Sequence, residues 1–214
     1  MADPAEAEMV RVWDPLVRIG HWVLVVAFAT AYLTEGEPAW LHTTAGYAIA
    51  ATVGLRILWG LLGPRRARFS DFVTGPGRVM TYLRVLIAGR SERHLGHSPA
   101  GGAMIVALLV ALAITAFSGM ATLAVEEGEG PLAGIVTSAT LPTWAMEGED
   151  DDDHYGEHGE GDEGGEAFEE IHEVAANITL ILILLHLAGV LWASRVHGEN
   201  LTKAMIDGRK RAAE

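Results

Sequence analysis

Four of the nine histidines in this 214-residue sequence stand where a histidine is costly. His21, His42, His172 and His186 fall within, or at the ends of, long apolar runs. A coordinating or ionisable side chain inside a membrane-crossing segment marks function by default. A neutral imidazole offers a lone pair from one nitrogen while the other donates a hydrogen bond, so the chemistry open to these residues is metal ligation. His172 and His186 are 14 residues apart in one run. On a helix that spacing is about 1400°, roughly 40° short of four turns, with a rise of about 21 Å. The two imidazoles then share a face but differ in depth. They are too far apart to hold one ion, and each can ligate a separate centre.

The elements that must position them follow from composition. Half of the residues are hydrophobic and the mean hydropathy is +0.25, too apolar for a water-soluble chain of this length. A spanning helix needs about 20 mostly apolar residues, and four stretches qualify, roughly 16–33, 41–62, 101–125 and 171–193. The expectation is an all-α fold, a four-helix bundle integral to a membrane, forming one domain over 1–214. Asp14-Pro15 supplies a helix cap with proline at the first helical position, and Gly63-Pro64 supplies a stop. Asp3, Glu6 and Glu8 precede the first run and no basic leader is present, so that run is expected to persist as a helix.

Charge orients the spans. Sixteen of the 28 acidic residues lie in 126–170, a stretch with no Lys or Arg. Of the 15 basic residues, all but Arg56 flank the same ends of the spans: Arg11 and Arg18, seven arginines between spans two and three, and five residues after span four. Lys and Arg accumulate on the cytoplasmic side. Both termini and the middle loop are therefore expected in the cytoplasm, with the acidic 126–170 loop outside. The stretch 78–87 carries arginines among apolar residues and is too short to span, which suits a helix lying at the cytoplasmic interface.

Orientation then pairs the histidines. His21 and His186 fall in the cytoplasmic half, and His42 and His172 at the outer face. Two bis-histidine pairs at two depths suit two haem groups stacked along the bundle. The absence of cysteine excludes disulfides, Cys-ligated iron-sulfur clusters and covalent haem attachment, so each haem would be a non-covalent haem b. Glycines beside the histidines, Gly46 foremost and also Gly20 and Gly189, leave room for a flat macrocycle. Arg56, inside span two, needs a partner, for which a haem propionate and a polar neighbour on another helix are the candidates. Arg11 and Arg18 could also bind propionates, though positive-inside anchoring accounts for them.

Several stretches resemble the bacterial cytochrome b561 family and the related b-type cytochrome subunits of nickel-iron hydrogenases. They are Val12-Trp13-Asp14-Pro15-Leu16-Val17-Arg18-Ile19-Gly20-His21-Trp22, His42-Thr43-Thr44-Ala45-Gly46-Tyr47, Arg56-Ile57-Leu58-Trp59-Gly60-Leu61-Leu62-Gly63, Ala67-Arg68-Phe69-Ser70-Asp71-Phe72, Ile171-His172-Glu173 and Leu185-His186. The resemblance covers about residues 10–210. It implies a dihaem electron carrier of a respiratory chain in the bacterial inner membrane. Such a carrier works between a quinone pool, ubiquinone or menaquinone, and a periplasmic partner such as a c-type cytochrome or hydrogenase. The haem-ligand pattern of that family falls on His21, His42, His172 and His186. The long acidic loop departs from the compact members.

Within 147–170, Asp150-Asp151-Asp152-Asp153-His154 and His158 sit among glycines with almost no apolar residues, a composition expected to be solvated and disordered. It could steer a basic partner or bind a divalent metal loosely, and the preceding 131–146 is apolar enough to fold back on the outer interface. Two other functions compete with the carrier: a superoxide:ubiquinone oxidoreductase, as in some compact family members, and a haem-free divalent metal transporter using the histidines as an ion path. The expected partners are the lipid bilayer and quinone, with no nucleic acid.

Overall fold

Asp14 begins the first span as its spacing predicts. The Val17 N–H donates to Asp14 Oδ1 at 3.1 Å, with Pro15 at the first helical position, so one otherwise orphaned amide is satisfied. This computed structural model describes residues 9–34, 37–136 and 160–212. In chain order it has strand β1 (Met9–Arg11), helices α1 (Pro15–Thr34) and α2 (Ala39–Leu62), and a 3-10 turn (Arg65–Ala67). Helices α3 (Phe69–Phe72), α4 (Pro76–Ile87), α5 (Pro99–Glu126), α6 (Glu160–His197) and α7 (Leu201–Asp207) follow, and strand β2 (Arg209–Arg211) closes the order.

Helices α1, α2, α5 and α6 are each long and apolar enough to cross a membrane. They pack as two hairpins, α1 with α2 and α5 with α6, joined through α2 and α5. The core between them is built from Ala27, Phe28, Ala45, Ile49, Val53, Leu109, Leu112 and Ala116. Large apolar side chains such as Ile19, Val26, Leu61 and Leu191 face outward, as they do where the solvent is lipid. With its helices and their apolar outer faces, the fold is the all-α membrane bundle that composition predicts.

α2 ends where Gly63-Pro64 predicts, with the Gly63 N–H returning to the Trp59 carbonyl at 2.8 Å. α5 begins on a Ser98 cap, whose Oγ accepts from the Gly101 N–H at 3.1 Å. The fourth span departs from expectation. Its helix starts at Glu160, eleven residues before the predicted 171, so 160–170 is helix where the sequence reads as acidic loop. Packing overrides composition there: Phe168 and Ala167 close a small core at the acidic end with Ala121, Val125, Leu132 and Val136. The Asp150–Asp153 run, His154, His158 and the rest of 137–159 lie outside the described residues.

All the described cation-rich segments meet at one end of the bundle. β1 pairs antiparallel with β2, Met9 opposite Arg211 and Arg11 opposite Arg209. Trp192 on α6 donates to the Leu86 carbonyl at the end of α4 at 2.9 Å, holding that helix over 76–87 against the bundle. Arg93, in the α4–α5 connection, hydrogen-bonds Glu199 at 3.0 Å and 3.3 Å, and Lys210 donates to the His94 carbonyl at 3.2 Å.

Candidate haem-binding site

The first pair lies toward the acidic end. His42 on α2 and His172 on α6 face each other with ring centres 6.0 Å apart. Each ring is held from behind: Nδ1 of His42 lies 3.0 Å from the Ala31 carbonyl, and Nδ1 of His172 lies 2.8 Å from the Thr115 carbonyl. A carbonyl only accepts, so each Nδ1 carries the proton and each Nε2 keeps its lone pair. Such a second partner fixes the ring's orientation and raises the basicity of the ligating nitrogen. Ser118 Oγ adds a longer contact to His172 at 3.4 Å, and Tyr32 on α1 donates to Asn177 on α6 at 3.1 Å at this end.

The second pair lies toward the cation-rich end. His21 on α1 and His186 on α6 have ring centres 6.5 Å apart. Nδ1 of His21 is buried without a hydrogen-bond partner.

These separations discriminate between geometries. A metal–imidazole bond is about 2.0 Å and the nitrogen lies about 1.1 Å from its ring centre, so rings on opposite sides of one metal have centres about 6.2 Å apart; two rings sharing a tetrahedral ion come to about 5 Å. Both observed values suit ligation from opposite sides. That is the separation two imidazoles ligating one haem iron would have, and the helical rise on α6 sets His172 and His186 about 21 Å apart along it.

Space beside the pairs fits a flat group. A Cβ built on Gly46 or Gly189 would meet nothing within 4 Å, whereas one on Gly20 would touch the Thr52 methyl at 3.4 Å. Gly119 on α5 carries no such freedom: a Cβ there would lie 2.8 Å from His172 Cε1 and 2.9 Å from Nδ1. Only glycine lets that ring lie against α5. Sequence reading missed Gly119 and the two carbonyls, because it looked for small residues on the helices that bear histidine and α5 bears none. A Ser-Gly pair in the outer half of that span was the signal.

Arg56 lies near the cation-rich end of α2, its guanidinium 5.3 Å from the centre of Phe69 and 6.0 Å from that of Phe72. Phe69 reaches this place because Gly60 has no side chain; a Cβ there would lie 2.2 Å from Phe69 Cε2. Both terminal nitrogens of Arg56 are buried without a hydrogen-bond partner. Each unmade bond to a buried charged donor costs on the order of 1–3 kcal/mol, and a buried charge requires a counter-charge. Asp14 is close enough to act on this charge through space, but no acid hydrogen-bonds either terminal nitrogen. His97, also missed, lies between Trp13 and Phe72, each ring centre 4.4 Å away and tilted against it by 46° and 51°. Burial, with the positive charges of Arg56 and Lys210, pushes its imidazole down to about 3, so it is neutral at physiological pH.

The family described as prokaryotic cytochrome b561 matches residues 12–208, nearly the whole chain. Neither the curated proteins nor the solved structures contain a match to it.

Proposed function

The chain belongs to the prokaryotic cytochrome b561 family, a family of b-type membrane electron carriers, and from that premise we propose that it holds two haem b groups and passes electrons between a quinone pool and a periplasmic redox partner. The observation that carries this reading is the pair of His–His separations, 6.0 and 6.5 Å, each suited to two axial ligands on one iron. His42 with His172 would hold one haem, and His21 with His186 the other.

Haem, when bound, supplies reversible one-electron chemistry at iron. The chain's own residues do the rest. His42 with His172, and His21 with His186, would each supply both protein ligands of one haem iron, which would leave no open position for oxygen and would favour transfer over oxygenation. The Ala31 and Thr115 carbonyls hold the rings of one pair on axis. Arg56 would take a propionate of the haem at the cation-rich end, and Gly46 leaves the open space beside His42 that a macrocycle requires. The separations that suit a haem are about 1 Å too long for a shared tetrahedral ion, which speaks against a haem-free metal path.

The positive-inside tendency supports placing the cation-rich end and both termini in the cytoplasm of a bacterial inner membrane, with the acidic end in the periplasm. Ubiquinone or menaquinone would exchange electrons within the membrane. The acidic outer end, where Glu127, Glu129, Glu169 and Glu170 are exposed, would draw a basic partner such as a c-type cytochrome; a hydrogenase is the other partner class. A superoxide oxidase working at that face would have to draw an anion into this field.

The purified protein should show a low-spin b-type difference spectrum on reduction, with two haems per chain. His172→Ala should retain one haem, leaving the His21–His186 site intact. Colourless wild-type protein, or a variant that keeps both haems, would overturn the assignment.

A further inference from the structure

A groove of about 680 Å³ runs along the outside of α1 and α2. Its α1 wall is Ile19, Trp22, Val23, Val26 and Thr30. At 100° per residue these are centred roughly 155° from His21, so the apolar wall opens away from the histidine pairs, while Arg18 stands at its edge, about 60° from His21. From Arg18 at one end to Thr30 at the other the helical rise is about 18 Å, close to the roughly 15 Å of one leaflet of a hydrocarbon core. Met205 and Ile206 of α7 close the cation-rich end beside Arg18.

Arg18 brings a charge to an otherwise apolar wall. One terminal nitrogen donates to the Ile206 carbonyl, and Nε is buried without a partner. Among the described residues no carboxylate lies within ion-pair distance of it. Asp14, four residues before Arg18, caps α1, and Asp207, next to Ile206, accepts from the Arg209 N–H at 2.9 Å. Exposed Lys203 and Arg209 add positive charge at the same end. An apolar channel one leaflet deep, with an unpaired arginine at its mouth, is complementary to an acyl chain bearing an anionic head.

We propose that this groove holds one acyl chain of an anionic glycerophospholipid from the leaflet at the cation-rich end, its phosphate paired with Arg18. A quinone tail would fit the channel but its uncharged head would leave Arg18 without a counter-charge. A zwitterionic lipid offers a phosphate only together with a competing cation.

The test is native mass spectrometry of the purified holoprotein in mild detergent, titrated with phosphatidylglycerol, with phosphatidylcholine of the same chains, with ubiquinone, or with inorganic phosphate. One phosphatidylglycerol per chain should be retained, about tenfold more tightly than phosphatidylcholine, the effect of one charge-assisted contact. Arg18→Gln should erase that preference without changing phosphatidylcholine retention. Thr44→Trp, which fills the groove and leaves Arg18 in place, should release the lipid and carries the test if Arg18→Gln fails to fold. Equal retention of both lipids, phosphatidylglycerol bound unchanged by either variant, or its displacement by inorganic phosphate or ubiquinone would overturn the assignment.

Discussion

Gly119 is the residue on which the His42–His172 pair depends most sharply and the one hardest to see in a sequence. Adding a single methyl there places carbon 2.8 Å from the His172 ring. Overpacking of that kind costs about 1–3 kcal/mol, so Gly119→Ala should weaken retention of one haem roughly tenfold or more. The haem-to-protein ratio should fall toward one while the His21–His186 signal persists. Arg56 makes a different prediction. A positive charge beside a haem favours its reduced form, so Arg56→Gln should lower the midpoint potential of one haem, by about 59 mV if about 1.4 kcal/mol is lost. Arg56→Lys should recover part of the shift, and a redox titration of the holoprotein measures both. The four histidines were legible because each stands out against an apolar run and because span polarity fixes their depth. The groups that orient them were not, since a backbone carbonyl leaves no mark in a sequence and Gly119 becomes special only when α6 docks on α5.

The connection between α4 and α5 links residue chemistry to stability. His97 is held near a pKa of 3 in the fold, against about 6.5 when unfolded. The unfolded chain therefore binds the proton more readily. The contribution of this segment is complete above about pH 6.5 and is lost progressively as pH falls toward 3. Thermal unfolding should show the midpoint dropping between pH 7 and pH 5, and His97→Phe, which keeps a ring between Trp13 and Phe72, should flatten that dependence. Glu199 acts lower on the scale. Burial raises its carboxyl, but the hydrogen bond from Arg93 and the charge of Lys210 outweigh burial and hold it below its ordinary 4.5. Its support is lost only as pH falls below that value. At this scale the sequence was most informative where local chemistry decides, at Asp14, Gly63-Pro64 and the 78–87 stretch. It failed at 160–170, where Phe168 stands nearly alone among acidic residues and glycines. No periodicity announces that turn of α6; the small core at the acidic end with Ala121 and Val136 does.

For the molecule as a whole, the gathering of its cations at one end makes orientation testable. The chain has no cysteine, so single replacements report cleanly. Glu127→Cys should react with a membrane-impermeant maleimide in intact spheroplasts, and Arg78→Cys only after permeabilisation; the reverse pattern would invert the proposed topology. The long α6 sets a further constraint, because it carries one histidine of each pair on a single unbroken rod. One residue inserted between His172 and His186 would turn the two ends about 100° out of phase and separate them by a further 1.5 Å or so. A compensating shift of one histidine on α1 or α2 would restore only one alignment, since each of those helices supplies a histidine to only one pair. In the proposed two-haem arrangement, the gap an electron crosses would therefore be quantised. It is written in the chain as a whole number of residues, and evolution can adjust the surroundings of that number far more easily than the number itself.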